Sequence, residues 1–243
     1  MKVVAIIQAR MGSTRLPGKV LKDIGGETML ARVVRRTQMA SSLDQVIIAT
    51  TVEPSDDVLV AECEHLGVSR FRGDELDVLD RYYQAAKAYE AGVVVRITSD
   101  CPLIDPVIID RVTHAFLNKM PDYASNTLTR TYPRGLDTAV VSMIALAQAW
   151  RESTEPYQRT HVMPYIYQNP NLFQILSVRG DIDYTHFRWT VDTQEDLDFV
   201  RSVYACLGNV SAFSWHDVIK ILSQEPELAE LNRHIRQKAL KEG

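Results

Sequence analysis

The sequence is poor in cysteine and lacks any long apolar run. It has three cysteines, Cys63, Cys101 and Cys206, which form neither a Cys-x-x-Cys pair nor a zinc-type cluster. We therefore expect reduced thiols in a cytoplasmic protein. The N-terminal apolar run covers only residues 3–7 before Gln8 interrupts it, which is too short for a signal-peptide core or a membrane span. A membrane-bound class is therefore not indicated.

The chain also lacks a strong excess of charge of one sign. Its 27 lysines and arginines face 31 aspartates and glutamates, which gives a formal net charge of −4. This balance supplies no global field that would recruit nucleic acid or an anionic membrane, so any anion site must be local. A hydrophobic content of 46% over 243 residues allows one or two domains, and we expect a single domain over residues 1–243.

A continuous apolar run at residues 3–7 and two mostly apolar runs at residues 45–50 and 93–98 are typical of buried strands in a parallel sheet. Stretches with a helical spacing of apolar residues lie between these runs. Because strand and helix alternate, we expect an α/β fold with a mostly parallel, Rossmann-like sheet. Such sheets bind ligands at the carboxyl ends of their strands, so the segments that follow the three runs are the candidate site.

The alternation of strand and helix loosens after about residue 120. Residues 122–126 and 138–142 resemble short strands around a turn that contains Pro133 and Gly135. We interpret residues 120–180 as an inserted subdomain that binds the acceptor substrate.

The chain is predicted to return to the main sheet at residues 188–192. Thr193, with Asp196 three residues later, resembles a capping box that starts a helix. Farther along lies a short apolar stripe, formed by Leu228, Leu231 and Ile235. The stripe could pack against its own domain or contribute to a homodimer, and both alternatives stay open.

The segment that follows the first predicted strand carries the most informative motif. Residues 8–19 read Gln-Ala-Arg-Met-Gly-Ser-Thr-Arg-Leu-Pro-Gly-Lys and hold three cations, two glycines and no acid. Glycines let backbone N–H groups approach phosphate oxygens, which arginine and lysine also bind. The segment is not a Walker A loop, because five residues separate Gly12 from Gly18 and Val20 stands where a hydroxyl would ligate magnesium. Polyphosphate binding is favoured over a solvated basic turn.

Five segments together carry a resemblance to a known family. They are residues 8–19, Asp77-Val-Leu-Asp-Arg81, Arg96-Ile-Thr-Ser-Asp-Cys-Pro-Leu-Ile-Asp105, Tyr132-Pro-Arg-Gly-Leu-Asp137 and Arg188-Trp-Thr-Val-Asp-Thr193. Over nearly its whole length the chain resembles the cytidylyltransferase superfamily of acylneuraminate and 3-deoxy-manno-octulosonate activators, and in particular its spore-coat polysaccharide biosynthesis members. The resemblance implies the nucleotide-diphospho-sugar transferase type of fold. It also implies transfer of CMP from CTP to an anionic sugar acid or related small acceptor, with release of pyrophosphate, for polysaccharide or glycan biosynthesis.

Asp100 and Asp192 are the candidate metal ligands. Asp100 follows the predicted strand at residues 93–98, and Asp192 ends the predicted strand at residues 188–192. Two carboxylates with water and substrate phosphates make a typical magnesium site, because Mg²⁺ prefers hard oxygen ligands. The resemblance implies the same pair. Alternatively, Asp100 stabilises its own turn and Asp192 helps to cap the following helix.

The implied reaction is in-line attack of an acceptor oxygen on the α-phosphate of the nucleotide, without a covalent protein nucleophile. We expect Arg15 and Lys19 to bind the β- and γ-phosphates, while Mg²⁺ on Asp100 and Asp192 neutralises charge. We interpret the nearby Asp196 as a charge on the helix surface.

The resemblance implies a wider set of residues around the pyrimidine, the ribose and the phosphates. Its members are Ala9, Arg10, Gly12, Ser13, Arg15, Lys19, Arg72, Arg81, Thr98 and Ser99. Arg72 lies in a segment that could equally be an edge turn, and Arg81 could be a surface partner of Asp77 or Asp80.

Residues 122–165 are rich in polar side chains, and their arginines favour an acceptor with a carboxylate or phosphate. The resemblance implies that four of them shape the acceptor site: Asn126, Arg134, Asp137 and Arg159. Their alternative roles are a turn former, two surface charges and a helix-face ion pair, respectively. Relatives often carry an acid two positions after Asp137, where this chain has Ala139, so the acceptor could differ. His161 is interpreted as a half-buried packing residue rather than a base.

Two rival functions stay open. A metal-dependent glycosyltransferase often has an Asp-x-Asp motif, and Asp181-Ile182-Asp183 fits that string. Such an enzyme would bind a nucleotide sugar rather than a free triphosphate. A non-catalytic nucleotide-binding protein would keep the phosphate loop without the chemistry, although the presence of Asp100 and Asp192 argues against it.

Overall fold

A computed structural model describes residues 1–240 and shows a central seven-stranded sheet with helices on both faces. The strands are β1 (Val3–Gln8), β2 (Asp23–Ile24), β3 (Glu27–Thr28), β4 (Gln45–Thr51), β5 (Ser69–Gly73), β6 (Val93–Thr98), β7 (Tyr123–Ser125), β8 (Ala139–Ser142) and β9 (Ile175–Ser177). The helices are α1 (Met29–Gln38), α2 (Asp57–His65), α3 (Val78–Ala88), α4 (Pro106–Lys119), α5 (Met143–Glu152), α6 (Pro156–His161), α7 (Pro164–Gln168), α8 (Gln194–Cys206), α9 (Trp215–Gln224) and α10 (Glu227–Glu230). Short 3₁₀ helices span Lys19–Leu21 and Pro54–Asp56.

The main sheet has the strand order β5-β4-β1-β6-β8-β7-β9, and β2 and β3 form a separate ribbon. Strands β5, β4, β1 and β6 are all parallel, whereas β8 is antiparallel to both of its neighbours and β7 is parallel to β9. The prediction of an α/β fold with a mostly parallel sheet is confirmed. The loops that follow β1, β4 and β6 therefore meet at one edge of the sheet.

Burial on both faces of the sheet explains the continuous apolar runs. In β1, Val3, Ala5 and Ile7 pack into one core and Val4 and Ile6 into the other, and all five are buried. Helices α1, α4, α8 and α9 cover the first face, while α3, α5 and α7 cover the second. A strand that is buried on both sides reads as an unbroken apolar run rather than an alternating one.

The segment over residues 120–180 extends the same sheet. The strands predicted at residues 122–126 and 138–142 are observed as β7 and β8, and β9 adds the edge. Between β7 and β8 the chain turns at Gly135, whose φ is +116°. A Cβ at this position would lie 2.6 Å from the Trp189 carbonyl carbon, so the close approach of the two backbones requires glycine.

The prediction of a strand at residues 188–192 is wrong. The segment is extended but forms only an isolated bridge between Arg188 and Arg134. Its backbone N–H groups are shared between two loops: Trp189 N donates to Arg134 O at 2.6 Å, and Val191 N donates to Asp100 O at 2.8 Å. Because these partners belong to different segments, no continuous ladder with one strand can form.

The predicted capping box at the start of α8 is confirmed. Thr193 Oγ1 accepts a hydrogen bond from Asp196 N, and the Asp196 carboxylate accepts one from Thr193 N in return. In the C-terminal stripe, Leu228 packs against the core of its own chain, whereas Leu231 is 40% exposed. Within residues 1–240, no helix is both long enough and apolar enough to cross a membrane.

Candidate active site

The phosphate loop, residues 9–18, leaves β1 at the carboxyl edge of the sheet and is fastened at both ends. Ala9 N donates to Ala49 O at 3.1 Å, and Gly18 N donates to Met11 O at 3.3 Å. Gly18 has a φ of +65° and precedes the 3₁₀ helix Lys19–Leu21. This left-handed turn, which glycine adopts without strain, orients Lys19 toward the interior of the site.

Asp56 anchors the phosphate loop to the end of β4, a role that the sequence did not suggest. Its buried carboxylate accepts hydrogen bonds from Met11 N at 2.8 Å, Thr50 Oγ1 at 2.9 Å and Thr51 Oγ1 at 2.6 Å. Burial acts to raise the pKa of Asp56, but these hydrogen bonds, led by that from Thr51, lower it overall. The charged carboxylate therefore joins the end of β4 to the loop after β1.

Lys19 lies between the two candidate metal ligands. Its Nζ is 2.9 Å from Asp100 Oδ2 and 2.9 Å from Asp192 Oδ1, and it also donates to Val191 O at 2.7 Å. Burial would lower the pKa of Lys19, but the charges of Asp100 and Asp192 raise it overall. Burial likewise acts to raise the pKa of each aspartate, and the charge of Lys19 lowers both overall. All three groups are therefore charged.

Asp192 is oriented by two arginines. Arg188 Nη2 lies 2.9 Å from Asp192 Oδ2, and Arg15 Nη2 lies 3.0 Å from Asp192 Oδ1. The backbone N–H of Asp192 donates to Asp196 Oδ2 at 2.9 Å. Because both carboxylate oxygens of Asp192 have charged partners, its side chain is held in one orientation.

The interpretation of Asp196 as a surface charge is wrong, because its side chain is 0% exposed. It receives two hydrogen bonds from Arg188, at 2.8 and 2.9 Å, and one from Asn232 Nδ2 at 2.9 Å. Asn232 lies 36 residues farther along the chain. The spacing of apolar residues along α8 therefore could not reveal this buried cluster of Arg188, Asp196 and Asn232, which contacts Asp192.

The carboxyl edge of the sheet encloses a cavity of about 430 Å³, which we call the nucleotide cavity. The structure brings all the predicted nucleotide-binding residues except Arg72 to its wall: Ala9, Arg10, Gly12, Ser13, Arg15, Lys19, Arg81, Thr98 and Ser99. Asp100 and Asp192 also line it. Cations of the phosphate loop and both aspartates thus face one space.

Arg72 and Arg81 have different surroundings. Arg72 lies on β5, where Nε donates to Thr51 O at 2.7 Å and Nη1 pairs with Asp57 Oδ1 at 2.7 Å. Arg72 therefore lies in an edge strand rather than in a turn, and it does not line the nucleotide cavity.

Arg81 is 1% exposed, and its Nη1 donates to Asp74 O at 2.8 Å. Arg81 therefore lies in the interior and is not a surface partner of Asp77 or Asp80.

Two buried polar atoms on the wall of the nucleotide cavity lack hydrogen-bond partners among residues 1–240. They are Gln8 Oε1, at the end of β1, and Arg81 Nε. One is an acceptor and the other a donor. Buried polar atoms normally have partners, so this pair marks a place where a polar ligand would fit. Gln8 was not among the predicted nucleotide-binding residues, although its place at the strand end could have indicated it.

A second cavity, of about 470 Å³, lies beside the first and shares Thr98 and His161 with it. We call it the acceptor cavity. Arg134 and Asp137 line it, and Arg130 forms two hydrogen bonds with Asp137, at 2.5 and 2.7 Å. The two cavities therefore form adjoining compartments at the same edge of the sheet.

The other two predicted acceptor residues do not line this cavity. Asn126 is buried and holds the chain before β8, since Nδ2 donates to Leu136 O at 2.7 Å and Oδ1 accepts from Thr138 N at 2.9 Å. Arg159 pairs with Asp77, with the shortest contact at 2.5 Å between Nη2 and Oδ2. That ion pair joins α6 to the N-cap residue of α3.

The C-terminal segment also reaches the site. Arg188 Nη1 donates to Gln237 Oε1 at 2.7 Å, Lys238 lines the nucleotide cavity, and Leu240 lines the acceptor cavity. Leu240 O lies 2.8 Å from His161 Nε2. Burial lowers the pKa of His161, which favours a neutral ring at neutral pH. No signal in the sequence tied this charged segment to the site.

The donor chemistry of Asp100 and Asp192 fits a divalent metal. Both offer carboxylate oxygens, which suit Mg²⁺, and phosphate oxygens with water could complete an octahedral set. Within residues 1–240, no group of three or more histidine, cysteine, aspartate or glutamate side chains gathers at one point. A metal there would therefore depend on ligands from the substrate as well as from the chain.

The Asp-x-Asp string lies elsewhere. Asp181 and Asp183 are exposed, neither lines the nucleotide cavity, and Asp183 Oδ1 accepts a hydrogen bond from Thr185 N at 2.8 Å. The string therefore forms part of a loop turn, which removes the feature that favoured a glycosyltransferase.

A mostly parallel sheet, a basic phosphate loop and two aspartates at its carboxyl edge define an α/β protein of the nucleotidyltransferase type. The chain belongs to the cytidylyltransferase family, whose family model matches residues 4–239. It is 34% identical to the spore coat polysaccharide biosynthesis protein SpsF of Bacillus subtilis, over 93% of this chain and 96% of that protein. The predicted resemblance is therefore confirmed.

Two of the solved structures that share the fold illustrate the likeness. A cytidylyltransferase from Leptospira borgpetersenii superimposes with a TM-score of 0.91 at 33% identity, covering 98% of this chain and 100% of that chain. The structure of CMP:2-keto-3-deoxy-manno-octonic acid synthetase complexed with CTP gives a TM-score of 0.62 at 20% identity, covering 84% of this chain and 99% of that chain. The second likeness concerns the fold alone.

Proposed function

We propose that the protein transfers CMP from CTP to a small anionic acceptor of the sugar-acid type, with release of pyrophosphate, in polysaccharide or glycan biosynthesis. The observation that carries the proposal is the pairing of two adjoining cavities. One presents Arg10, Arg15 and Lys19 beside two aspartates, and the other presents arginines to a second ligand. Membership of the cytidylyltransferase family supports CTP as the donor, and the spore coat polysaccharide relative supports a role in polysaccharide biosynthesis.

The nucleotide would enter with its triphosphate on the phosphate loop. Arg15 and Lys19 now pair with carboxylates, and triphosphate oxygens offer competing anionic partners of higher charge. Gln8 Oε1 and Arg81 Nε supply an unpaired acceptor and donor for the base or ribose. A pyrimidine carries groups of both kinds, so these two atoms support a nucleoside ligand in the cavity.

Asp100 and Asp192 would hold Mg²⁺ once the triphosphate draws Lys19 away from them. When bound, the metal would supply charge neutralisation at the α-phosphate. Arg188 keeps the second oxygen of Asp192 fixed from the buried side, so that Oδ1 stays directed at the nucleotide cavity. Positioning by fixed charges is the main source of catalysis in such transfers.

The chemical step is a direct displacement. An acceptor hydroxyl oxygen bonds to the α-phosphorus as the bond from that phosphorus to the bridging oxygen breaks, and pyrophosphate leaves with the bonding electrons. The hydroxyl proton passes to solvent. Cys101 is unsuited as a nucleophile, because burial raises the pKa of its thiol well above the usual value.

Pyrophosphate release tests the proposal. The full chain is incubated with Mg²⁺, one of CTP, UTP, ATP or GTP, and one of a panel of sugar acids, sugar phosphates and phosphonates. We expect release that requires both CTP and an acceptor. Tight CTP binding without release for any acceptor would favour the non-catalytic alternative, and cleavage of a nucleotide sugar without use of CTP would favour a glycosyltransferase.

Variants give this assay a matched control. Asp100→Asn should lower turnover about 100-fold or more, because it removes a charge next to the reacting phosphate. Asp198→Asn removes an exposed aspartate of α8 and should leave turnover unchanged. Equal activity in the two variants would overturn the assignment of Asp100.

A further inference from the structure

Arg96 is a charged residue in the middle of an apolar strand. It lies on β6 opposite Ile6 of β1 on one side and Ala139 of β8 on the other. Its neighbours Val95 and Ile97 are fully buried. An arginine at such a position loses much of its hydration, so a purely structural account requires a partner for its charge.

The described chain supplies no such partner. Arg96 Nε is buried without a hydrogen bond, and its guanidinium forms no ion pair within residues 1–240. Two other enclosed arginines do have carboxylate partners: Arg159 pairs with Asp77, and Arg188 pairs with Asp192 and Asp196. Arg96 differs from these two arginines in having no carboxylate partner among residues 1–240.

The Arg96 side chain lines the acceptor cavity, and the charge of that cavity is not balanced. Arg130 and Asp137 cancel each other through their ion pair. Arg134 also lines the cavity, and its side chain forms no hydrogen bond or ion pair with the rest of residues 1–240. Two guanidinium charges, those of Arg96 and Arg134, therefore remain for a ligand.

Ala139, which faces Arg96, offers it no charged partner. The two residues are directly opposite in antiparallel strands, so their side chains lie on the same face, and both line the acceptor cavity. A carboxylate at this position would be within reach of the guanidinium, but the alanine methyl group offers no charge. Because Arg96 faces the small Ala139, this part of the acceptor cavity combines free space with an unneutralised positive charge.

We propose that Arg96, with Arg134, binds the carboxylate or phosphate of the acceptor and so selects acceptors that carry an oxyanion. This inference rests on the proposed function, since it takes the cavity to hold the acceptor. Arginine suits the role because its planar donors match two oxygens of a carboxylate or phosphate. Thr98, two residues along the same strand, lines both the acceptor cavity and the nucleotide cavity.

Three variants and a control test the proposal. Arg96→Leu removes the charge, Arg96→Lys keeps the charge without the planar fork, and Ala139→Asp supplies an internal carboxylate opposite Arg96. Arg151→Leu, on the exposed end of α5, controls for the loss of one arginine. Without added anion, Arg96→Leu should melt at a higher temperature than the wild type, because an unpaired charge leaves the interior. A structural arginine would give the opposite shift.

Anion binding is then measured on the full chain with glycolate and inorganic phosphate as probes, at constant ionic strength set with chloride. α,β-Methylene-CTP is added beforehand to occupy the phosphate loop. The wild type and Arg151→Leu should be stabilised by at least one probe, and the apparent affinity should fall at least tenfold in Arg96→Leu and Ala139→Asp. The probe whose binding depends more on Arg96 identifies the group, carboxylate or phosphate.

Unchanged anion affinity in Arg96→Leu and Ala139→Asp would overturn the proposal, as would a wild type that neither probe stabilises. An acceptor from the pyrophosphate panel adds a kinetic test: its KM should rise at least tenfold in both variants while the KM for CTP stays constant. Anion titration does not require turnover. Absence of pyrophosphate release would therefore count against the proposed function only. The proposed anion site would still stand or fall on the anion affinities of Arg96→Leu and Ala139→Asp.

Discussion

Lys19 Nζ lies 2.9 Å from Asp192 Oδ1 in a salt bridge in which each side chain is no more than 12% exposed. The same ammonium also contacts Asp100 at 2.9 Å. One cation of the phosphate loop thus stands between the two carboxylates that are proposed to hold Mg²⁺. Binding of CTP and of the metal would therefore be linked through the position of this one side chain.

Replacing Lys19 should uncover a cation site. In Lys19→Met the two carboxylates lose their shared ammonium, so Mg²⁺ alone should stabilise the variant more than the wild type in the absence of nucleotide. Melting temperature as a function of Mg²⁺ concentration measures this difference. Turnover should fall about 100-fold or more. An Mg²⁺ response equal to that of the wild type would count against a metal at Asp100 and Asp192.

Acid should weaken the salt bridges of the site. The pKa of Asp100 and that of Asp192 lie below the usual 3.8 in the folded protein. Both groups therefore contribute stability above their unfolded pKa of about 4, and this contribution is lost as pH falls through the folded values. The pKa of Lys19 is raised above 10.5, so its contribution is present below that value and lost only as pH rises through its folded pKa.

Urea unfolding of the wild type and Asp192→Asn at several pH values tests whether the stabilising contribution of Asp192 is lost in acid. The difference in free energy of unfolding between them should be largest near pH 6 and should shrink as pH falls below about 4. A difference that does not change over this range would show that Asp192 stabilises the fold by something other than its charge.

Asp196 should matter more for stability than any exposed acid of α8. Asp196→Ala leaves the Arg188 guanidinium buried with one partner fewer and removes an acceptor for Asn232, which should cost about 3–5 kcal/mol. Asp198→Ala, on the exposed side of the same helix, should stay within about 0.5 kcal/mol of the wild type. Chemical denaturation of both variants gives the comparison, and similar losses would contradict a buried role for Asp196.

Asp56 should control nucleotide affinity without touching the nucleotide. Asp56→Ala frees Met11 N and the end of β4, so the phosphate loop loses a charge-assisted anchor of about 1.5–3 kcal/mol. We expect the Kd for CTP to rise about tenfold or more by calorimetry. Asp57→Ala removes the neighbouring exposed acid, which pairs with Arg72, and should leave the Kd unchanged. Loss of affinity in Asp57→Ala alone would instead place Arg72 in the nucleotide site.

Local sequence features predicted the parts of the site that depend on local geometry. The phosphate loop follows a buried strand, Asp100 follows the next central strand, and the capping box at Thr193 is complete within four residues. Each of these features depends on neighbours in the chain. They could therefore be recognised before the fold was known.

Contacts between distant segments were not predictable in the same way. Asp196 is buried because Arg188 and Asn232 meet it from both sides, and the spacing of α8 cannot show this. Residues 188–192 have the composition of a strand but divide their hydrogen bonds between two loops. Arg96 faces the uncharged Ala139 on the neighbouring strand, and only the register of the two strands reveals this pairing.

Transfer of label from CTP that carries ³²P at the α-phosphate tests the central claim most directly. The full chain is incubated with this CTP, Mg²⁺ and the acceptor panel, with Asp100→Asn and Asp198→Asn in parallel. We expect the label in a CMP ester of an anionic acceptor, formed by the wild type and Asp198→Asn but not by Asp100→Asn. Label that stays in CTP, or appears only as free CMP with every acceptor, would contradict cytidylyl transfer by this site.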